Sequence, residues 1–148
     1  MHIYLDTSVL GGYFDEEFKE ETRKLWELGK TGNYVFYISR ITLNELLFAP
    51  EWVRELSRKS FTDEHVLPLT EEAEKLAEAY LAHGVVPSQY QEDAEHVAIA
   101  TVNHLLVIVS WNFKHLVNLE RERGFNAVNI LLGYPQVRII SPQNIVYE

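Results

Sequence analysis

The sequence predicts an α/β fold built on a mainly parallel sheet, and three observations carry that prediction. Short apolar runs of strand length alternate with longer segments of helical period along the whole chain. The 148 residues are 47% hydrophobic, enough for one core, with no Gly/Ser/Pro-rich linker, low-complexity tract or internal repeat. The run Leu106–Val109 is apolar throughout, as in strands covered by helices on both faces. A single domain over residues 1–148 follows.

Ile3-Tyr4-Leu5 is a β-prone run ended by Asp6-Thr7-Ser8. Asp15 is placed to cap a helix with Phe18, Thr22, Leu25 and Trp26 on one face, and Gly29 to stop it. Tyr34–Ile38 is the second strand. Ser39 then caps a short helix through Leu47, which Pro50 prevents from continuing. Glu51–Lys59 reads as a helix with Trp52, Val53 and Leu56 inward, and His65–Leu69 as a weak strand. Ala73, Leu76, Ala77, Tyr80 and Leu81 form one helical face between a Thr70 cap and a Gly84 stop. Ser88 and Gln91 have capping-box spacing for a helix reaching about Val102, whose Ala94, Val97, Ala98, Ile99 and Ala100 predict burial on more than one side. Phe113–Arg123 reads as a helix stopped by Gly124, and Arg138–Ile140 as the last strand.

Thirteen Lys and Arg against 22 Asp and Glu give a formal charge of −9, which excludes a broad basic surface as the means of gripping nucleic acid. An enzyme that draws its phosphate affinity from bound cations remains compatible with that balance. The absence of cysteine excludes a disulfide framework, thiolate zinc, an iron–sulfur cluster and a cysteine nucleophile. Met1–Asp6 lacks the pattern of a signal peptide, and the aliphatic run Leu105–Val109 falls far short of the ~20 residues of a membrane helix. The expectation is a soluble, cytoplasmic protein.

Open α/β sheets bind ligands at the carboxyl ends of their strands, where strand order reverses. Asp6 and Ser110-Trp111-Asn112 each follow a strand directly, Glu45 lies in the helix after the second strand, and Asp93 opens the helix before Leu106–Val109. Each has an ordinary alternative. Asp6 and Asn112 suit turns, Glu45 a solvated helix face, and Asp93 a helix N-terminus. Their apolar surroundings favour a shared role, because a buried unpaired carboxylate costs several kcal/mol unless a cation or hydrogen bonds compensate. The three acids have no evident side-chain counter-charge among themselves. An oxygen-only donor set points to Mg²⁺ or Mn²⁺.

Leu5-Asp6-Thr7-Ser8, Glu45, Asp93-Ala94-Glu95-His96-Val97-Ala98-Ile99-Ala100 and Ser110-Trp111-Asn112-Phe113 resemble the PIN-domain family in order and spacing, over essentially the whole chain. The resemblance implies a Rossmann-like α/β/α sandwich with a mainly parallel sheet of about five strands, and Mg²⁺/Mn²⁺-dependent endoribonuclease activity. It implies Asp6, Glu45 and Asp93 as catalytic, metal-binding carboxylates. Asn112 takes the place of a fourth acid as a metal ligand, through its carbonyl oxygen, a departure that removes one charge from the site. Compact bacterial and archaeal members are commonly toxins of the VapC kind, so the resemblance also implies an RNA substrate and a small antitoxin partner.

The chemistry implied is phosphodiester hydrolysis by a metal-activated water, leaving a 5′-phosphate. Without metal, the carboxylates should repel one another and at least one should have a raised pKa. Thr7, Ser8, Ser110, Lys114 and Arg40 are the candidate substrate contacts or supports. His96, one helical turn from Asp93, belongs to no metal-ligand spacing and reads as a packed, hydrogen-bonded histidine. His115 is placed near the rim, and Tyr90 is the candidate for stacking on a base. The apolar content of Tyr13, Phe14, Phe18, Trp52 and Val53 suggests a homodimer face or an antitoxin groove. The main rival is a PIN-like RNA- or protein-binding module whose catalysis is lost through Asn112. A haloacid-dehalogenase-like site would need an acid where Ser8 stands, and Gly11-Gly12 does not begin a dinucleotide fingerprint.

Overall fold

The computed structural model describes residues 1–147. Strands β1 (His2–Leu5), β2 (Val35–Ser39), β3 (Val66–Leu67), β4 (Val107–Val109) and β5 (Arg138–Ile140) form one sheet in the order β3-β2-β1-β4-β5. All four pairings are parallel. Parallel neighbours need crossovers, which α1 (Thr7–Gly12), α2 (Lys19–Lys30), α3 (Arg40–Leu46), α4 (Glu51–Ser60), α5 (Glu71–Ala82), α6 (Gln91–Val102) and α7 (Leu119–Leu132) supply, while α8 (Gln143–Val146) follows the last strand. No helix among the described residues is long and apolar enough to cross a membrane.

Strand alternation sorts the core into two layers. Ile3, Leu5 and Val109 pack with Val9, Leu10, Leu25, Val53 and Ile145, on the side of α1, α2, α4 and α8. Tyr4, Ile108 and Ile139 pack with Leu76, Tyr80, Ala98 and Phe125, on the side of α5, α6 and α7. The result is the expected α/β/α sandwich. Helix α6 lies deep in it, with every residue from Ala94 to Thr101 buried, as its small and β-branched composition requires.

Several boundaries differ from the sequence expectation. The helix expected over Phe113–Arg123 begins at Leu119, where the Asn118 side chain accepts from Arg121 N–H at 2.8 Å. It runs through Gly124, because that glycine serves close packing: a Cβ there would stand 3.0 Å from Val85 Cγ1. Gly133, at φ 84°, is the residue that ends α7 in the left-handed conformation. Gly29 likewise lies inside α2, where a Cβ would stand 2.8 Å from Phe36. Asp15 organises a turn that precedes α2, which starts only at Lys19. Ser88 opens a single 3₁₀ turn and caps no helix through its side chain. The short α1 and α8 were not expected. Ser39 does cap α3, accepting from Ile41 N–H at 3.2 Å in a capping box with Thr42.

Candidate active site

Strand order reverses around β1, so the switch-point crevice opens at the carboxyl ends of β1 and β4. The register aligns those ends, with Leu5 opposite Val109 and Asp6 N–H donating to Val109 C=O at 3.1 Å. Asp6 is extended at φ −81°, ψ 172°, with its side chain free of capping duty for α1. Two residues beyond Tyr4, it continues the strand alternation toward α6.

Ser8 ties the two strand ends together. Its hydroxyl donates to Asp6 Oδ1 at 2.6 Å and accepts from Trp111 N–H at 2.9 Å. Ser110, fully buried, accepts from Asn112 N–H at 2.9 Å and lies 3.3 Å from Ser8 Oγ. Thr7 donates to Glu45 Oε1 at 2.6 Å. The three hydroxyls expected to meet substrate are thus engaged with the protein's own groups.

His96 is 1% exposed and stands among the acids. Its Nε2 lies 2.7 Å from Glu45 Oε1, and its Nδ1 lies 2.5 Å from Tyr4 OH, which itself donates to Ser39 Oγ at 2.7 Å. With Tyr4 donating to Ser39, both ring nitrogens face acceptors, an arrangement that the imidazolium form satisfies. Burial alone would depress the His96 pKa, but the Glu45 hydrogen bond and the charges of Asp6, Glu45 and Asp93 leave it raised. The counter-charge that the sequence did not reveal is therefore His96. The signal for it was the one-turn spacing from Asp93.

The carboxylates respond according to their surroundings. Burial raises Asp6, against the opposing effects of His96, Ser8 and Ser110. Partial desolvation pushes Glu45, whose side chain is 35% exposed, up, but bonding to His96, its charge and Thr7 bring it below the usual range. Asp93, half-buried in the first turn of α6, is pushed up to about 6 by desolvation, with Asp6, Glu45 and Glu92 adding to the effect and His96 opposing it. Desolvation is the largest cause at both raised acids, Asp6 and Asp93, and the charges of their acidic neighbours are lesser ones.

The remaining candidates lie just after β2 and β4 or just before α6. Asn112 Oδ1 accepts from His115 N–H at 3.0 Å, so its side chain shapes the turn after β4. Arg40 and Lys114 are exposed, and among the described residues neither makes an ion pair. Tyr90 has one face against His115, the ring centroids 3.9 Å apart, which leaves at most the other for a base. His115 is 7% exposed, and its Nδ1 is without a partner among the described residues.

No family model matches the chain, and no curated protein matches it significantly. Solved structures do. The chain is similar to one in the VapBC2 complex of Rickettsia felis, solved bound to a DNA fragment from its promoter, with a TM-score of 0.63, 13% identity and coverage of 95% of this chain and 98% of that one. It is also similar to one in FitAcB from Neisseria gonorrhoeae, with a TM-score of 0.56, 17% identity and coverage of 97% and 99%. The fold is the one that these chains share.

A divalent ion suits the donor type, because Asp6, Glu45 and Asp93 offer hard carboxylate oxygens on this side of the sheet. It does not find a finished cage. Among the described residues, no three acidic or histidine side chains converge closely enough to hold an ion. The fit is thus one of charge and donor type.

The expected apolar surplus is largely absorbed internally. Val53 is 5% exposed, Phe18 stacks on Trp111 with centroids 4.1 Å apart, and Tyr13 packs edge-on to Phe14 and Trp26. Only Trp52 of the five stays exposed, at 59%. It has unforeseen company in Leu47 and Phe48, the latter 94% exposed. Phe48 borders a cleft of about 330 Å³ shared with Ile41, Asn44, Glu45, Glu92 and Glu95.

Proposed function

We propose that this chain is a divalent-metal-dependent endoribonuclease of the PIN type, acting as the toxin of a toxin–antitoxin pair. One observation carries the reading: Asp6, Glu45 and Asp93, from the end of β1, from α3 and from α6, are gathered around His96, which bonds Glu45 Oε1, meets Tyr4 two residues before Asp6 and lies one turn after Asp93. Nothing in the packing of a sheet and its helices requires three acids there. The similarity to a VapBC2 chain agrees with the VapC-like resemblance of the sequence.

Asp6 and Asp93 are the residues proposed to hold Mg²⁺ or Mn²⁺, with Glu45 beside them. When bound, such an ion supplies charge neutralisation for the phosphodiester and acidifies a water. The protein's own contribution is orientation. Ser8 holds the Asp6 carboxylate, Thr7 and His96 hold that of Glu45, and the Asn112 turn fixes the loop after β4. Arg40 and Lys114 are the proposed cationic contacts for RNA phosphates.

The proposed antitoxin contact is the cleft beside Phe48. Its lining of three carboxylates and an exposed aromatic ring repels RNA and suits a peptide combining basic and apolar side chains. A homodimer remains part of the proposal. Leu119, Ile130, Leu131 and Leu132 expose apolar surface on α7 in addition to Trp52.

Cleavage of a structured-RNA panel with Mn²⁺ tests the reading, with Asp6→Asn and Asp93→Asn as controls. Cleavage by the parent and its loss in both variants is expected. Persistence in both would assign the activity to a contaminant. A second reading, a PIN-like binding module without catalysis, is favoured by the absence of a ready ligand cage among the described residues and by Asn112. RNA binding without cleavage at any Mn²⁺ concentration would select it.

A further inference from the structure

The three acids belong to three separate segments, Asp6 following β1, Glu45 on α3 and Asp93 on α6, and one side chain joins those segments physically. His96 belongs to α6, one turn after Asp93. Its Nδ1 meets Tyr4 OH on β1, two residues before Asp6, and its Nε2 meets Glu45 itself on α3. Tyr4 is anchored in turn on Ser39, the cap of α3. A polar ring in a helix whose buried residues are mainly alanine, valine and isoleucine carries a desolvation cost. Bonding at both nitrogens offsets it. The Tyr4 contact alone would satisfy only one nitrogen.

The division of labour at Glu45 is specific. Thr7 Oγ1 and His96 Nε2 both address Oε1, at 2.6 and 2.7 Å, and no hydrogen bond among the described residues engages Oε2. A carboxylate gripped by two donors on one oxygen has lost its rotational freedom while keeping the other oxygen available. Groups that orient a ligand in this way typically change metal affinity by about 10- to 100-fold when removed.

We propose that His96 is a positioning residue, fixing Glu45 through Oε1 so that Oε2 is presented to a cation held beside Asp6 and Asp93. This rests on the metal-site reading given above. It assigns to the buried histidine a role in assembling the site, in addition to its packing in the core.

The test is calorimetric Mn²⁺ binding to the full chain without RNA, accompanied by thermal melts. Asp6→Asn, Asp93→Asn and Glu45→Ala examine the site itself, while His96→Phe removes the donor and His96→Gln retains one at a similar reach. Expected are a loss of about tenfold or more in Mn²⁺ affinity for His96→Phe, and affinity within about threefold of the parent for His96→Gln. Combining His96→Phe with Glu45→Ala should weaken binding no further than Glu45→Ala alone, as for two residues acting through one contact. If His96→Phe gives no cooperative melt, His96→Asn, polar but too short to reach Glu45, replaces it. Unchanged affinity in a folded donor-free variant, or independent losses in the double variant, overturns the positioning role while leaving the site intact. No Mn²⁺ binding by the parent, or binding indifferent to Asp6, Glu45 and Asp93, overturns the metal-site reading and the inference with it.

Discussion

Replacing Asp93 with asparagine should make the metal-free protein more stable at neutral pH. Asp93 is raised from 3.8 to about 6 by desolvation, with the neighbouring acids adding to the effect. A shift of about two pKa units corresponds to ~3 kcal/mol, and partial exposure reduces this to about 1–2 kcal/mol after screening. The sign follows from proton linkage. Below the unfolded value near 3.8 the group is protonated in both states and costs nothing; above the folded value near 6 it is charged in both, and the full penalty applies. Stability contributed by this group therefore falls as pH rises from about 4 to 6. Urea denaturation in EDTA should show Asp93→Asn ahead by ~1–2 kcal/mol at pH 7.5, a melting shift of roughly 2–8 °C at this chain length. The advantage should disappear near pH 4. Saturating Mn²⁺ should reverse the ranking, because only the parent gains ligand-linked stability. An asparagine variant no more stable than the parent at pH 7.5 in EDTA would refute the claim that these acids are crowded without sufficient compensation.

Three further outcomes follow from the packing. Gly12→Ala places a Cβ 2.7 Å from Trp111 Cδ1 and Nε1. It should cost ~1–3 kcal/mol in urea unfolding by overpacking, with a tryptophan fluorescence change as the Trp111–Thr22 hydrogen bond is disturbed. Tyr80→Phe removes the donor to buried Asn129 Oδ1 and should cost ~1–3 kcal/mol, measured in the same way. Phe48→Ser should shift stability by no more than ~0.5 kcal/mol, because its side chain is in solvent. Pull-down with a co-expressed antitoxin should nonetheless show weakened retention, and undiminished retention would remove Phe48 from the proposed contact.

How much of this was legible beforehand varied with the range of the interaction involved. All five strands and the buried character of α6 follow from apolar runs, since backbone pairing and burial leave a local imprint on composition. Ser39 and Thr70 were readable as caps because a cap bonds within its own turn. The two misplaced helix stops share one cause. Gly29 and Gly124 answer to Phe36 and Val85 on other elements, and a glycine needed for close approach looks in sequence like a glycine needed for a turn. Leu47 and Phe48 misled similarly: apolar flanks suggested a buried Glu45, whereas the chain turns there and leaves both rims in solvent.

The sequence by itself determined that acids would stand at strand ends and helix starts in an α/β chain, because those positions are fixed by local periodicity. Only the tertiary structure decided that Tyr4, Glu45 and His96 would meet. Their encounter depends on β1 lying at the centre of the sheet with α3 and α6 converging over its carboxyl end. Strand order is set by the packing of the whole chain, and no spacing within one segment encodes it.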